Sequence, residues 1–128
     1  SSNVRAYIGY RGDLANKIYA ASDFFLMPSR FEPCGLSQLI AMRYGSLPVV
    51  RATGGLEDTV TGYPLDNSNG FKFWGYDGHC MMDAIRTAEW VYKDKYVLNA
   101  MRKSAMNADF SWKKSSEKYL ALYREICG

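Results

Sequence analysis

Cysteine is scarce. Cys34, Cys80 and Cys127 are the only three in 128 residues, an odd number at wide spacings. They form neither a disulfide framework nor a metal-ligand spacing, so reduced thiols in a cytosol-like compartment are expected. Histidine is scarcer still: His79 stands alone, and no nucleophile–base arrangement can be built around it. No apolar run approaches the roughly 18 residues of a transmembrane helix, and no secretory signal is present. Lys and Arg never run beyond a pair such as Lys113-Lys114, so the net charge of +3 describes a solvated surface and not a nucleic-acid footprint. Internal repeats, low-complexity segments and linkers are also lacking. The chain opens Ser-Ser rather than Met, and is expected to be a piece of a longer polypeptide.

What is there suits one globular domain. Hydrophobic residues make up 48% of the chain and aromatics 15%, enough to bury a core without staples. Residues 4–10 alternate well enough for a strand, and Asp13 is an N-cap candidate before the apolar stripe of Leu14, Ile18 and Ala21. Residues 23–27 (Asp-Phe-Phe-Leu-Met) predict a buried parallel strand. Leu36, Leu39, Ile40 and Tyr44 then recur at helical spacing, with Gly45 as the stop. A third strand is predicted at 47–50, where Pro48 near the start loses an N–H at little cost. Residues 56–60 allow one or two helical turns, and the dense turn signals of 61–70 predict the longest irregular segment. A short fourth strand is predicted at 71–73.

From Asp77 onward the pattern is helical. The stripes are Met81, Ile85, Ala88 and Tyr92, then Val97, Met101, Ser104, Ala105 and Ala108, then Tyr119, Leu122, Tyr123 and Ile126 behind a cap at Ser111. Strand–helix alternation at these spacings predicts an α/β fold, a Rossmann-like parallel sheet flanked by helices. Four strands are few for such a sheet, so further strands are expected before residue 1.

The chemistry concentrates at residues 29–36, Ser-Arg-Phe-Glu-Pro-Cys-Gly-Leu, where a strand hands over to a helix. Open α/β sheets bind ligands at such carboxyl ends. Glu32 has two readings: a surface carboxylate favoured by the helix dipole or paired with Arg30, or an acceptor for sugar hydroxyls. The first helical amides, around Leu36 and Ser37, lack intrahelical partners and suit a phosphate. Acid and amides together would grip a sugar phosphate. Cys34 has no flanking base and fits a tight turn by its size. His79 reads as a surface residue, and Gly54-Gly55 alone is a weak phosphate signal. Tyr10 is either core or a platform for stacking a base. No metal set is present and no cofactor is expected.

The run Ser29-Arg30-Phe31-Glu32-Pro33-Cys34-Gly35-Leu36-Ser37-Gln38-Leu39 resembles the donor-site signature of bacterial glycogen synthases and plant starch synthases. Residues 45–51 and 53–60 resemble the family's next block, as do Tyr7-Ile8-Gly9-Tyr10 upstream and Asp109-Phe110-Ser111-Trp112 near the end. The resemblance covers essentially the whole chain. It implies a GT-B architecture of two Rossmann-like domains, with residues 1–128 forming most of the C-terminal, donor-binding domain, truncated on its N-terminal side. It implies glucose transfer from ADP-glucose or UDP-glucose to the non-reducing end of an α-1,4-glucan with retention, in a bacterial cytoplasm or a plastid stroma. Carried over by position, Glu32 would be the catalytic residue that contacts the donor glucose. Cys34 and Gly35 offer amides to its hydroxyls, Leu36 and Ser37 serve the diphosphate, and Gly9 and Tyr10 line the adenine.

Related transferases carry a second glutamate eight residues after the first. Ile40 stands there, as the glycogen and starch synthase pattern has it. The cations that such enzymes use on the diphosphate fall before residue 1, with the acceptor-side domain. The isolated chain is therefore expected to be inactive, since electrostatic stabilisation is often the largest catalytic term. A different class of function, a stand-alone nucleotide or sugar-phosphate binding module, would use the same turn and Tyr10. A sucrose-type synthase is disfavoured by Cys34, where those groups usually carry an aromatic.

Overall fold

The computed structural model describes residues 2–128. Its elements run α1 (Gly12–Ala21), β1 (Phe24–Met27), α2 (Ser37–Arg43), β2 (Leu47–Arg51), α3 (Gly55–Thr59), β3 (Phe71–Phe73), α4 (Gly78–Lys93), α5 (Lys95–Asn107) and α6 (Trp112–Cys127). The strands form one parallel sheet in the order β1-β2-β3, with Leu26 opposite Val49 and Val49 opposite Phe71. The expected α/β class is therefore present. Because all the strands run the same way, the loops that follow them emerge at one edge.

Leu47, Pro48, Val49 and Val50 are buried, as a central parallel strand covered on both faces should be. Pro48 is tolerated because the β3 ladder begins opposite Val49, one residue later. The core is completed by Ala84, Ala88 and Val91 of α4 and by Leu98, Met101 and Ala105 of α5. Burying a side chain of Leu or Val size contributes roughly 1.5–3 kcal/mol. Both helices start on an aspartate: Asp77 accepts from the amides of His79 and Cys80, and Asp94 from those of Tyr96 and Val97. The irregular stretch 61–70 is held by Asn69, which accepts from the Thr61 amide at 2.8 Å and donates to the Thr59 carbonyl at 3.3 Å. At the opposite edge of the sheet, Arg102 of α5 pairs with Asp23 before β1.

Several elements differ from the sequence reading. Residues 4–10 form no strand; Val4, Tyr7, Ile8 and Tyr10 are exposed. A strand needs a neighbour to receive its hydrogen bonds, and none lies beside this segment among the described residues. For the same reason β1 is a half-buried edge strand and not a buried one: β2 flanks it on one side only. Asp13 lies inside the first turn of α1 and pairs with Arg11 at 2.6 Å instead of capping. The Leu14, Ile18 and Ala21 stripe has no fully buried member. In α2 the buried face is Gln38, Ala41 and Met42, while Leu36, Ile40 and Tyr44 are exposed. The predicted cap of α6 is present, with Ser111 accepting from the Lys114 amide at 3.4 Å, yet α6 buries none of its residues.

Candidate functional site

At the carboxyl edge of the sheet the three post-strand loops are bonded to one another. The Gly55 amide donates to the Glu32 carbonyl at 3.0 Å, joining the loop after β2 to the turn after β1. Arg51, the last residue of β2, reaches both ways: its Nη1 donates to the Arg30 carbonyl at 2.8 Å and its Nε to the Trp74 carbonyl at 3.2 Å. The guanidinium carbons of Arg51 and Arg30 lie 5.4 and 5.9 Å from the centre of the Tyr76 ring. One cation at a strand end thus ties three loops.

Two glycines make that contact possible. A Cβ on Gly54 would run into the Glu32 carbonyl oxygen, and one on Gly55 into the Cys34 carbonyl oxygen. Gly54-Gly55, weak as a phosphate signal, is therefore where one backbone approaches another. Gly35 is constrained twice. Its φ is +72°, and a side chain there would meet the carboxamide of Gln38. Leu36 follows in the right-handed region at φ −109° and ψ −28°. A left-handed residue followed by a right-handed one turns successive amides toward the same side.

The side chains brought together here are few. Glu32 is half-buried and its carboxylate makes no ion pair or hydrogen bond among the described residues, so the pairing with Arg30 is not formed. Leu36 is 72% exposed, and the amides of Leu36 and Ser37 have no acceptor among the described residues. Cys34 is an exposed free thiol in the same turn. A carboxylate able to accept, beside amides able to donate, suits a polyhydroxylated, anionic ligand. Gly9 and Tyr10 are not joined to this group by any hydrogen bond or ring contact. Tyr10 is 95% exposed.

Near the turn, Asp77 has its carboxyl held below the ordinary range, chiefly by the Cys80 amide, then by the Cys80 thiol and, more weakly, by the His79 amide. The Asp77 carboxylate in turn pushes the Cys80 thiol up, with burial adding to it, so Cys80 stays protonated and inert. His79 is exposed on α4, as expected. A hollow of about 450 Å³ lined by Phe24, Leu26, Val49, Ile85 and Tyr92 lies on the sheet face beside α4, away from the turn. No group of three or more potential metal ligands occurs among the described residues. No described helix is long and apolar enough to cross a membrane.

The residue that sequence reasoning missed is Gln38. It sits inside the quoted run without a role, yet its side chain is 0% exposed and its Nε2 lies within 3.2 Å of three acceptors. A polar residue inside an otherwise apolar helical face was the available signal.

A parallel α/β sheet with an acid and free amides at its carboxyl edge has the architecture of a ligand-binding α/β domain. Residues 2–88 match the family described as Glycosyl transferases group 1, and the chain belongs to that family. Over 129 residues it is 53% identical to the glycogen synthase of Clostridium beijerinckii, covering 99% of this chain and 27% of that protein. The glycogen synthase of Exiguobacterium sibiricum is 55% identical over 126 residues, 96% of this chain and 26% of that one. The chain thus spans about a quarter of the length of these curated relatives.

Among solved structures, the catalytic domain of starch synthase IV from Arabidopsis thaliana bound to ADP and acarbose superposes with a TM-score of 0.84 at 42% identity. The overlap covers 95% of this chain and 26% of that one. A sucrose-phosphate synthase from Thermosynechococcus elongatus is more distant, with a TM-score of 0.58 at 26% identity over 84% of this chain and 26% of that one. The GT-B domain expected from the sequence is the fold observed.

Proposed function

We propose that this chain is the donor-binding part of a glycogen or starch synthase, an enzyme that transfers glucose from ADP-glucose or UDP-glucose to the non-reducing end of an α-1,4-glucan with retention. Residues 1–128 belong to its C-terminal nucleotide-sugar domain, and the acceptor is held by residues outside this chain. The setting that goes with this reading is a bacterial cytoplasm or a plastid stroma. The observation that carries it is the unpaired Glu32 carboxylate beside the free amides of Leu36 and Ser37, in a chain about half identical to glycogen synthases over nearly its whole length.

In this mechanism Glu32 positions the donor glucose and stabilises positive charge building at the anomeric carbon. The amides of Cys34 and Gly35 bond the glucose hydroxyls, and those of Leu36 and Ser37 take the diphosphate. Gly9 and Tyr10 line the adenine. Amides fixed by the fold need no reorganisation as negative charge develops on the leaving diphosphate, and that is where such donors contribute most.

The reading is tested in the full-length enzyme with Glu32→Gln. The amide keeps the size of the side chain and loses its charge, so kcat should fall by ~10²–10³-fold with the donor KM within a few-fold. Equal losses in both would mean uniform binding, and unchanged turnover would remove Glu32 from the chemistry. Titration with ADP-glucose against UDP-glucose then fixes the nucleotide.

A further inference from the structure

Resting on that reading of the turn, we propose that Gln38 is a positioning residue of the donor site. Its buried carboxamide holds two carbonyls of the turn inward, which aims the amides of Gly35 and Leu36 outward at the ligand. The argument starts from its hydrogen bonds. Nε2 of Gln38 lies 3.1 Å from the Cys34 carbonyl oxygen, 2.9 Å from that of Gly35 and 3.2 Å from Thr59 Oγ1. Both carbonyls are pure acceptors, and the Thr59 hydroxyl already donates to the Gly55 carbonyl at 2.6 Å. With every neighbour accepting, the nitrogen must face the turn.

The geometry of the peptide bond supplies the next step. In a trans peptide the C=O and the following N–H point in opposite directions. Pulling the Cys34 carbonyl toward the core turns the Gly35 N–H away from it. Pulling the Gly35 carbonyl inward does the same for the Leu36 N–H. These are two of the amides assigned to the glucose hydroxyls and the diphosphate. The φ of +72° at Gly35 lets neighbouring carbonyls face the same side, and the carboxamide fills the place where a Gly35 side chain would stand. Through Thr59 the same amide joins the turn after β1 to α3, whose first residue carries the Gly55 carbonyl.

A purely space-filling role does not account for the choice of residue. Gln38 Oε1 is buried with no hydrogen-bond partner, so the carboxamide carries a cost that a methionine of similar size would not. What only the carboxamide supplies is the donor pair.

Gln38→Met in the full-length enzyme keeps the volume and removes the donors. The donor KM should rise at least tenfold, with the KM for the glucan acceptor within twofold of the parent and the thermal midpoint within a few degrees. Parent-like donor kinetics would overturn the proposal, and so would an equal loss toward donor and acceptor that follows the folded fraction. Should Gln38→Met fail to fold, Thr59→Val decides. It removes one anchor of the amide, and a two- to fivefold rise in donor KM supports the proposal, while no rise overturns it. The Glu32→Gln enzyme separates the two questions. If it keeps full turnover, the reading of the turn fails; if it is inactive while Gln38→Met is parent-like, only the role of Gln38 fails.

Discussion

Residues 29–38 and residues 2–11 both carry runs that match the same family signature, and the fold treats them differently. The first is bonded from three sides: from below by Gln38, from the loop after β2 by Gly55, and from β2 itself by Arg51. The second lies exposed, with Ile8 99% accessible. The backbone of the turn is fixed by partners from other loops, whereas Tyr7, Ile8 and Tyr10 are exposed. The lesson is that a motif becomes a site when neighbouring groups fix its peptide orientation. The same contrast recurs among the helices. α5 and α6 are similarly amphipathic, yet α5 buries Leu98, Met101 and Ala105 while α6 buries nothing.

The contrast between turn and arm is broken most sharply by function. Glu32→Gln should cost ~10²–10³-fold in kcat, whereas Tyr10→Ala should weaken ADP binding only about three- to tenfold, the value of one aromatic contact. A Tyr10 effect as large as that of Glu32, measured by calorimetry and initial rates, would mean that the arm is as fixed as the turn. The contrast between helices predicts that Leu98→Ala lowers stability by about 2–5 kcal/mol through the cavity it leaves, while Leu120→Ala on α6 stays within about 0.5 kcal/mol. Denaturant unfolding of both variants checks this, and equal losses would show that α6 is packed.

Smaller again is Gly55→Ala. Its Cβ meets the Cys34 carbonyl, and overpacking of this kind typically costs about 1–3 kcal/mol. A neutral thermal midpoint would show that the two loops part easily. The smallest effect concerns acid. Because the Asp77 carboxyl is depressed in the fold, its stabilising contribution is present above the unfolded value near 3.8 and is lost as the pH falls through the lower folded value. Asp77→Asn still caps α4 without titrating, so its thermal midpoint should fall less steeply through that acid window.

Much of the fold could be read in advance, for physical reasons that are local. β2 was legible as a short apolar run beside a turn, α4 and α5 by their period, and the site by a strand–turn–helix sequence with Pro, Gly and a carboxylate. What escaped depended on partners. The buried face of α2 was misjudged because Gln38 is polar and its compensation comes from carbonyls of the turn and from Thr59, 21 residues away. Residues 4–10 have the alternation of a strand, but alternation says nothing about whether a neighbour is there to bond.

The order of residues alone therefore determined the family, the sheet direction and the position of the acid, because each rests on side-chain type, period and the spacing of turn formers. Tertiary structure decided which peptide planes of the turn face outward. It also decided why Gly54 and Gly55 are glycines and which face of α2 is buried. Those outcomes depend on two backbones meeting at hydrogen-bond distance, and residues far apart in the chain come that close only once the sheet has formed.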